Sequence, residues 1–191
     1  MKHTSRTTYI GLNLRSCSIR LWSEEDANAL QRYANNRKIW ENLRDIFPHP
    51  YSLQDADAFL DFATQARSTE FAIANETEAI GGIGLRLGDD VHRHTAEMGY
   101  WLGEPFWGRG IMTEAITAFT PWAFRWFELL RIFAQPFATN TASVRVLEKA
   151  GFVCEGQLKA NVIKDGKLLD SLMYACVREP PVIYRLWGEK R

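Results

Sequence analysis

Gly108 and Gly110 stand on either side of Arg109, just before a helical run that begins at about Ile111, inside the stretch 97–115. That stretch reads as strand, tight loop, helix. Trp101 and Leu102 end an apolar strand, and Gly103 and Pro105 punctuate it. The two later glycines let the backbone turn sharply or approach a ligand closely. The first turn of a helix carries N–H groups with no intrahelical acceptor, and the helix dipole adds partial positive charge, so such a loop suits an anion. Phosphate is the evident candidate. A P-loop needs Lys and then Ser or Thr after its last glycine, where this chain has Ile111 and Met112. A dinucleotide fingerprint needs a third glycine, where Thr113 stands. On the residues of this loop alone, a Gly-rich surface turn without a ligand is an equal reading.

A second segment decides between them. Residues 132–152 run from Ile132 through Asn140 and Ser143 to Gly151-Phe152, a pattern of strand, Asn, short helix and Gly-Phe. The loop resembles the pyrophosphate loop of the GNAT acyltransferase superfamily, Q/R-x-x-G-x-G/A, with Gly108 and Gly110 at its small positions and Pro105 where Gln or Arg is usual. The second segment resembles that superfamily's other cofactor segment, in the right order and at the right distance. The whole of 97–178 is similar to the branch that contains the ribosomal-protein-alanine N-acetyltransferases, and 18–96 fits its N-terminal half more loosely.

The resemblance implies an acetyl-CoA-dependent N-acetyltransferase, with coenzyme A held by Met98, Gly99, Tyr100, Trp107, Gly108, Arg109, Gly110, Ile111, Asn140 and Ser143. Acetyl transfer from a thioester to an amine requires that the ammonium lose a proton, that donors meet the developing oxyanion, and that the departing thiolate be stabilised. The resemblance places a base-competent carboxylate at Glu97, two residues before Gly99, which is itself a plausible bulge position. Arg93 and His94 are the neighbours that would pair with Glu97 in a purely structural role. The family's frequent general acid, a Tyr seven residues after the Asn, is Leu147 here, so the acid falls to Ser143, the branch's alternative near the sulfur. The same branch has a Glu in the next strand, where Val162 aligns. Asn140 also suits a helix N-cap. The loop Trp40–Tyr51, with Arg44, Asp45, His49 and Tyr51, is the candidate acceptor site; packing of the two N-terminal helices is its other reading. No cysteine lies in either motif, which favours direct attack in a ternary complex over an acetyl-enzyme. The alternatives are a non-catalytic acyl-CoA-binding or regulatory domain, or a nucleotide-binding enzyme using the same loop.

Composition narrows the remainder. A chain of 191 residues buries a substantial core as one domain. Formal net charge is zero, and no basic patch points to nucleic acid. No apolar run is long enough to span a bilayer, and residues 1–8 lack the apolar core of a signal peptide. Three widely spaced cysteines, Cys17, Cys154 and Cys176, suit free thiols in a reducing compartment. The expectation is a cytoplasmic protein, monomer or homodimer, acting on a small-molecule amine or a peptide N-terminus, with no nucleic-acid or membrane partner. His92 and His94 share one side of a strand as metal ligands do, but no third ligand is evident, so no metal is expected.

The supporting elements follow from local signals. Residues 1–16 read as an arm and 179–191 as a tail, about a single domain with its core at about 17–178. Cys17–Leu21 is a strand; Ser23 caps a helix over 24–36, with Asp26 in its acidic first turn. The prolines of Phe47-Pro48-His49-Pro50 keep Trp40–Tyr51 non-helical. Ser52 caps a second helix. Glu70–Ala74, Ala79–Leu87 and Arg93–Leu102 are strands, and Gly81, Gly82 and Gly84 imply a bulge or close packing against a helix. The helix from Ile111 continues through Pro121 with a kink. Arg131–Phe137 is a strand, and Asn140 or Thr139 caps the helix after it. Asp165-Gly166 is a hairpin turn between Val153–Ile163 and Leu168–Val177. The fold class is α/β (α+β): a mixed twisted sheet of about seven strands flanked by helices. The resemblance implies a splay between the fourth and fifth of these strands, 93–102 and 131–137, where the pantetheine arm lies.

Overall fold

The computed structural model describes residues 11–178. Eight strands form one sheet in the order β1-β2-β3-β4-β5-β6-β8-β7. They are β1 (Gly11–Asn13), β2 (Ser18–Leu21), β3 (Glu70–Ala74), β4 (Ala79–Leu87), β5 (Thr95–Leu102), β6 (Arg131–Ala134), β7 (Val153–Lys164) and β8 (Lys167–Val177). Only β5 and β6 run parallel; every other neighbouring pair is antiparallel. The helices are α1 (Ala27–Ala34), α2 (Arg37–Trp40), α3 (Leu53–Ala63), α4 (Ile111–Trp126) and α5 (Thr141–Lys149). The sheet therefore has one strand more than expected, because β1 lies in the stretch read as an arm. Glu114 ties that stretch to α4: its carboxylate accepts from the backbone N–H groups of Arg15 and Ser16 at 2.9 and 3.1 Å. The rest of the arm, residues 1–10, and the tail lie outside the described residues.

Helix starts follow the capping chemistry. Ser23 with Asp26, and Ser52 with Asp55, each close a reciprocal capping box. The first of these begins a 3-10 turn, Glu24–Asp26, before α1, and α1 ends at Ala34 rather than 36. Trp40 closes the short helix α2, and the segment after it up to Tyr51 is non-helical, with a cis peptide at His49-Pro50. A 3-10 turn at Asp90–His92 delays β5 to Thr95. Pro121 sits on the exposed side of α4, which runs through it unbroken. Asp165 and Gly166 both take positive φ, 51° and 70°, as a tight hairpin requires.

The two faces of the sheet carry separate cores. On one, Phe71, Ile83, Leu85, Met98 and Ile132 pack with Ile116 and Phe119 of α4 and Leu147 of α5. Each fully buried side chain of this size contributes roughly 1.5–3 kcal/mol. On the other, Trp22, Leu30, Leu60, Ala63 and Ala72 pack beneath α1 and α3, with Trp101 against them. Gly82 and Gly84 of β4 face this second layer. A Cβ on Gly82 would stand 2.8 Å from the Trp101 indole nitrogen and 3.2 Å from the Trp22 ring. The close packing expected at these glycines is thus against β3, β5 and Trp22, not a helix. A register slip also occurs beside Gly81, between Ile73 and Ala74. No bulge occurs at Gly99, where β4 and β5 keep regular register throughout.

Candidate active site

β5 and β6 stay together only at Thr95–Glu97 against Arg131–Phe133. Beyond that point β5 follows β4 as far as Leu102, while β6 follows β8, with Ala134 opposite Tyr174 and Phe137 bridging Ser171. The splay falls where it was expected, and an extra leading strand makes its members the fifth and sixth. Its opening is a cleft of about 650 Å³ lined by Met98, Gly99 and Tyr100 on one side and Ala134, Gln135 and Phe137 on the other. The β6-facing edge of residues 98–102 has no partner strand among the described residues, so an extended ligand can complete the ladder there.

The loop closes one end of this cleft. Gly108 and Gly110 take φ of +73° and +78°, a region that L side chains rarely adopt. Gly110 is the N-cap of α4. The first amide of α4 with a carbonyl partner is that of Glu114, bonded to Gly110. Among the described residues, no acceptor meets the amides of residues 108–113. The space a Cβ would take on either glycine is empty to 4 Å. Trp107 Nε1 donates to the Leu102 carbonyl at 2.7 Å, which fixes the loop to the end of β5. Gly108, Gly110 and Ile111 line the cleft; the Arg109 side chain does not, and its guanidinium lies 5.8 Å from the centre of the Phe106 ring.

On the facing wall, Asn140 caps α5 by accepting from the Ser143 N–H at 3.1 Å. This leaves the Ser143 hydroxyl free to meet the Tyr100 hydroxyl at 2.7 Å. Burial pushes the Tyr100 phenol well above its ordinary range, so it keeps its proton, and either hydroxyl can donate to the other. Both residues line the cleft. Leu147, at the position where the family resemblance leads one to look for a Tyr, is fully buried in the core.

Glu97 lines the cleft at the point of the splay. Its carboxylate is held by the Arg86 guanidinium, from the residue directly opposite on β4. The sequence neighbours expected in that role are elsewhere: Arg93 donates to the Asp90 carbonyl, and His94 Nδ1 contacts the Glu128 carbonyl. A second cavity of about 320 Å³ continues from Glu97 and Arg86, past Gln135 and Ser171, to Arg44, Asp45, Asn161 and Lys164. The β7–β8 hairpin closes it. Lys164 is buried, its Nζ 2.7 Å from Asp45 and 3.7 Å from the centre of the Trp40 ring, and Arg37 pairs with Asp165 at the hairpin tip.

Of the four residues expected at the acceptor site, Arg44 and Asp45 line this cavity. His49 and Tyr51 do not. His49 packs against the Trp40 ring at a tilt, and Tyr51 is buried in the core beneath α1 and α3, against Phe47. Sequence reasoning missed the side chains of Tyr100 and Arg86. Both roles depend on which residues face one another across strands and helices. The only sequence signal was the alternation along β5, which puts Tyr100 on the α5 side and Glu97 on the other.

The sequence profile described as "Acetyltransferase (GNAT) domain" matches residues 17–153. The chain belongs to the GNAT acetyltransferase family. An uncharacterised N-acetyltransferase, p20, of Bacillus licheniformis is 29% identical over 166 residues, spanning 84% of this chain and 92% of the relative. The [Ribosomal protein uS5]-alanine N-acetyltransferase of Escherichia coli K12 is 30% identical over 166 residues, spanning 82% and 85%. Among solved structures, the ribosomal L7/L12 alpha-N-protein acetyltransferase in complex with coenzyme A superposes with a TM-score of 0.77 at 22% identity, over 88% of this chain and 98% of that one. The microcin C7 self-immunity acetyltransferase, in complex with acetyl-CoA and AMP, gives 0.74 at 22% identity, over 86% and 93%. At these identities the structural likeness establishes the fold. Among the described residues, no helix is long and apolar enough to cross a membrane, and no three His, Cys, Asp or Glu side chains form a metal-binding group.

Proposed function

We propose that this GNAT domain transfers the acetyl group of acetyl-CoA to a primary amine by direct attack within a ternary complex. The observation that carries the reading is the continuity of two features: the open edge of β5 after Glu97, and the run of unpaired amides over residues 108–113 at its end. Coenzyme A fits this arrangement. Gly108, Gly110 and the first turn of α4 offer six consecutive donors to a pyrophosphate, and the backbone of Met98 and Tyr100 offers a strand edge to the pantetheine amides. When bound, the thioester supplies an activated acyl group at the splay. Asn140 serves both as helix cap and as a pantetheine contact.

Glu97 and Ser143 are the catalytic residues of this proposal. Glu97, at the mouth of the splay, draws the acceptor ammonium in and exchanges its Arg86 partner for that charge. Ser143, polarised by the Tyr100 hydroxyl, gives a proton to the sulfur as the C–S bond breaks. A cysteine nucleophile is unsupported. None of the three thiols lines either cavity, and burial raises Cys17 to about 11. The peptide N-terminus is the acceptor that the uS5-alanine relative supports; Arg44, Asp45 and Asn161 line the cavity such a chain would enter.

Thiol release from acetyl-CoA, measured with alaninamide, glucosamine, spermidine and benzylamine as acceptors, tests the reading. Amine-dependent release is expected with at least one. Tight coenzyme A binding without release to any of them identifies a non-catalytic binding domain instead.

A further inference from the structure

Three strands put three residues in one row on the α3 side of the sheet: Glu70 of β3 faces Gly84 of β4, and Gly84 faces Gly99 of β5. The rows on either side are full. In one, Trp101 leans over Gly82, its indole nitrogen 2.8 Å from where a Cβ would be. In the other, Arg86 is paired with Glu97. The middle row is a slot with a floor of two glycines. Gly99 is exposed, lines the cleft, and would meet nothing within 4 Å if it carried a Cβ. At the other end the slot is closed by the Glu70 carboxylate, which folds over Gly84 so closely that a Cβ there would fall inside it. Facing strands place Gly84 and Gly99 about 5 Å apart, so the carboxylate is within one bridging water of the space above Gly99.

The geometry points to Glu70 as the group that takes the proton from the acceptor ammonium, through one water in the Gly99–Gly84 slot. This rests on the acetyl-transfer reading above and adds a catalytic residue to it. The carboxylate of Glu70 has no hydrogen bond or ion pair among the described residues. The charged groups of the adjoining row, Arg86 and Glu97, satisfy one another. The core residues of α3 beneath this layer are Ala56, Leu60 and Ala63, which carry no charge. Burial alone pushes the Glu70 carboxyl up to about 7, which suits proton uptake at neutral pH. Glu97, engaged by Arg86, is less available for that task.

The step balances as follows. The ammonium gives one proton through the water to Glu70, and its nitrogen forms the bond to the acetyl carbon. The C–S bond breaks, and the sulfur takes a proton from Ser143, whose hydroxyl is restored by the second proton from nitrogen. Glu70 then returns its proton to solvent.

The test is the pH dependence of kcat/KM for alaninamide, from pH 5.5 to 9, in the wild type, Glu70→Gln and Gly84→Ala. In the wild type an ionisation near neutrality is expected on the acid side. In Glu70→Gln that ionisation should vanish, and kcat/KM at pH 7 should fall on the order of 10²-fold, with coenzyme A affinity unchanged. Gly84→Ala keeps the carboxylate but displaces it from the slot, and should reproduce the loss. Full activity with an unaltered profile in either folded variant would overturn the proposal. So would a loss that tracks only the folded fraction. If the wild type releases no thiol with any of the four amines, the acetyl-transfer reading fails, and the role of Glu70 with it.

Discussion

The hydroxyl oxygens of Tyr100 and Ser143 lie 2.7 Å apart, joining the middle of β5 to the first turn of α5 across the cleft. In the proposed mechanism the pair stands in for the single tyrosine that the family resemblance leads one to seek at Leu147. Tyr100→Phe and Ser143→Ala should each lower kcat by about 10²-fold if the two act as one donor. The Michaelis constant for acetyl-CoA should change little, because the lost interaction forms only as the thiolate departs. The double variant should be no worse than the poorer single one. Steady-state kinetics of the three variants checks this; strictly multiplicative losses would separate the two residues.

Glu97→Gln should act mainly on amine binding. Removing a charge-assisted contact of about 1.5–3 kcal/mol should raise the Michaelis constant for alaninamide by roughly tenfold to a hundredfold near neutrality. The deficit should shrink above the pKa of the amine, where there is less ammonium to attract. A collapse of kcat with an unchanged Michaelis constant would return the proton-acceptor role to Glu97 itself.

The parts of this site that were legible in the sequence are those written within one short segment. Ser23 with Asp26, Ser52 with Asp55, and Asp165-Gly166 each carry their whole signal within a few residues. Gly108 and Gly110 announce a sharp turn ahead of α4 because only glycine takes those backbone angles readily. The parts that were illegible depend on register between distant strands. That Arg86 rather than Arg93 holds Glu97, and that Glu70, Gly84 and Gly99 share a row, follows from pairings across three strands that no local period encodes. The same holds for Tyr51. Its neighbours Pro50 and Ser52 mark a loop, yet the fold buries its ring beneath α1 and α3.

Glu70 also makes a prediction about stability. Its carboxyl is raised from an ordinary value near 4.5 to about 7 in the folded protein. Between those pH values the folded state keeps a proton that the unfolded chain has lost. Folding is therefore progressively disfavoured as pH rises through that window, by at most about 3 kcal/mol above it. Glu70→Gln lacks this dependence. Relative to the wild type, it should gain in melting temperature between pH 4.5 and 7.5. Parallel melting curves across that range would show that Glu70 is solvated and ionised throughout.

Gly110→Asp tests the anion loop. Asp tolerates the left-handed conformation better than most residues, so the variant should fold. Its carboxylate would stand among the amides of residues 108–113 and compete with the pyrophosphate. Coenzyme A affinity, by isothermal titration, should fall by at least tenfold. Dephosphorylated pantetheine, which lacks the pyrophosphate, should lose much less.

Direct attack in a ternary complex is tested most directly by mixing the protein with acetyl-CoA alone, at comparable concentrations, and following free thiol and the intact mass of the protein together. No burst of thiol and no acetylated protein are expected until alaninamide or another accepted amine is added, when thiol and acetylated amine should appear in equal amounts. Release of one equivalent of thiol before any amine is present, with an acetyl group on the protein, would contradict the account.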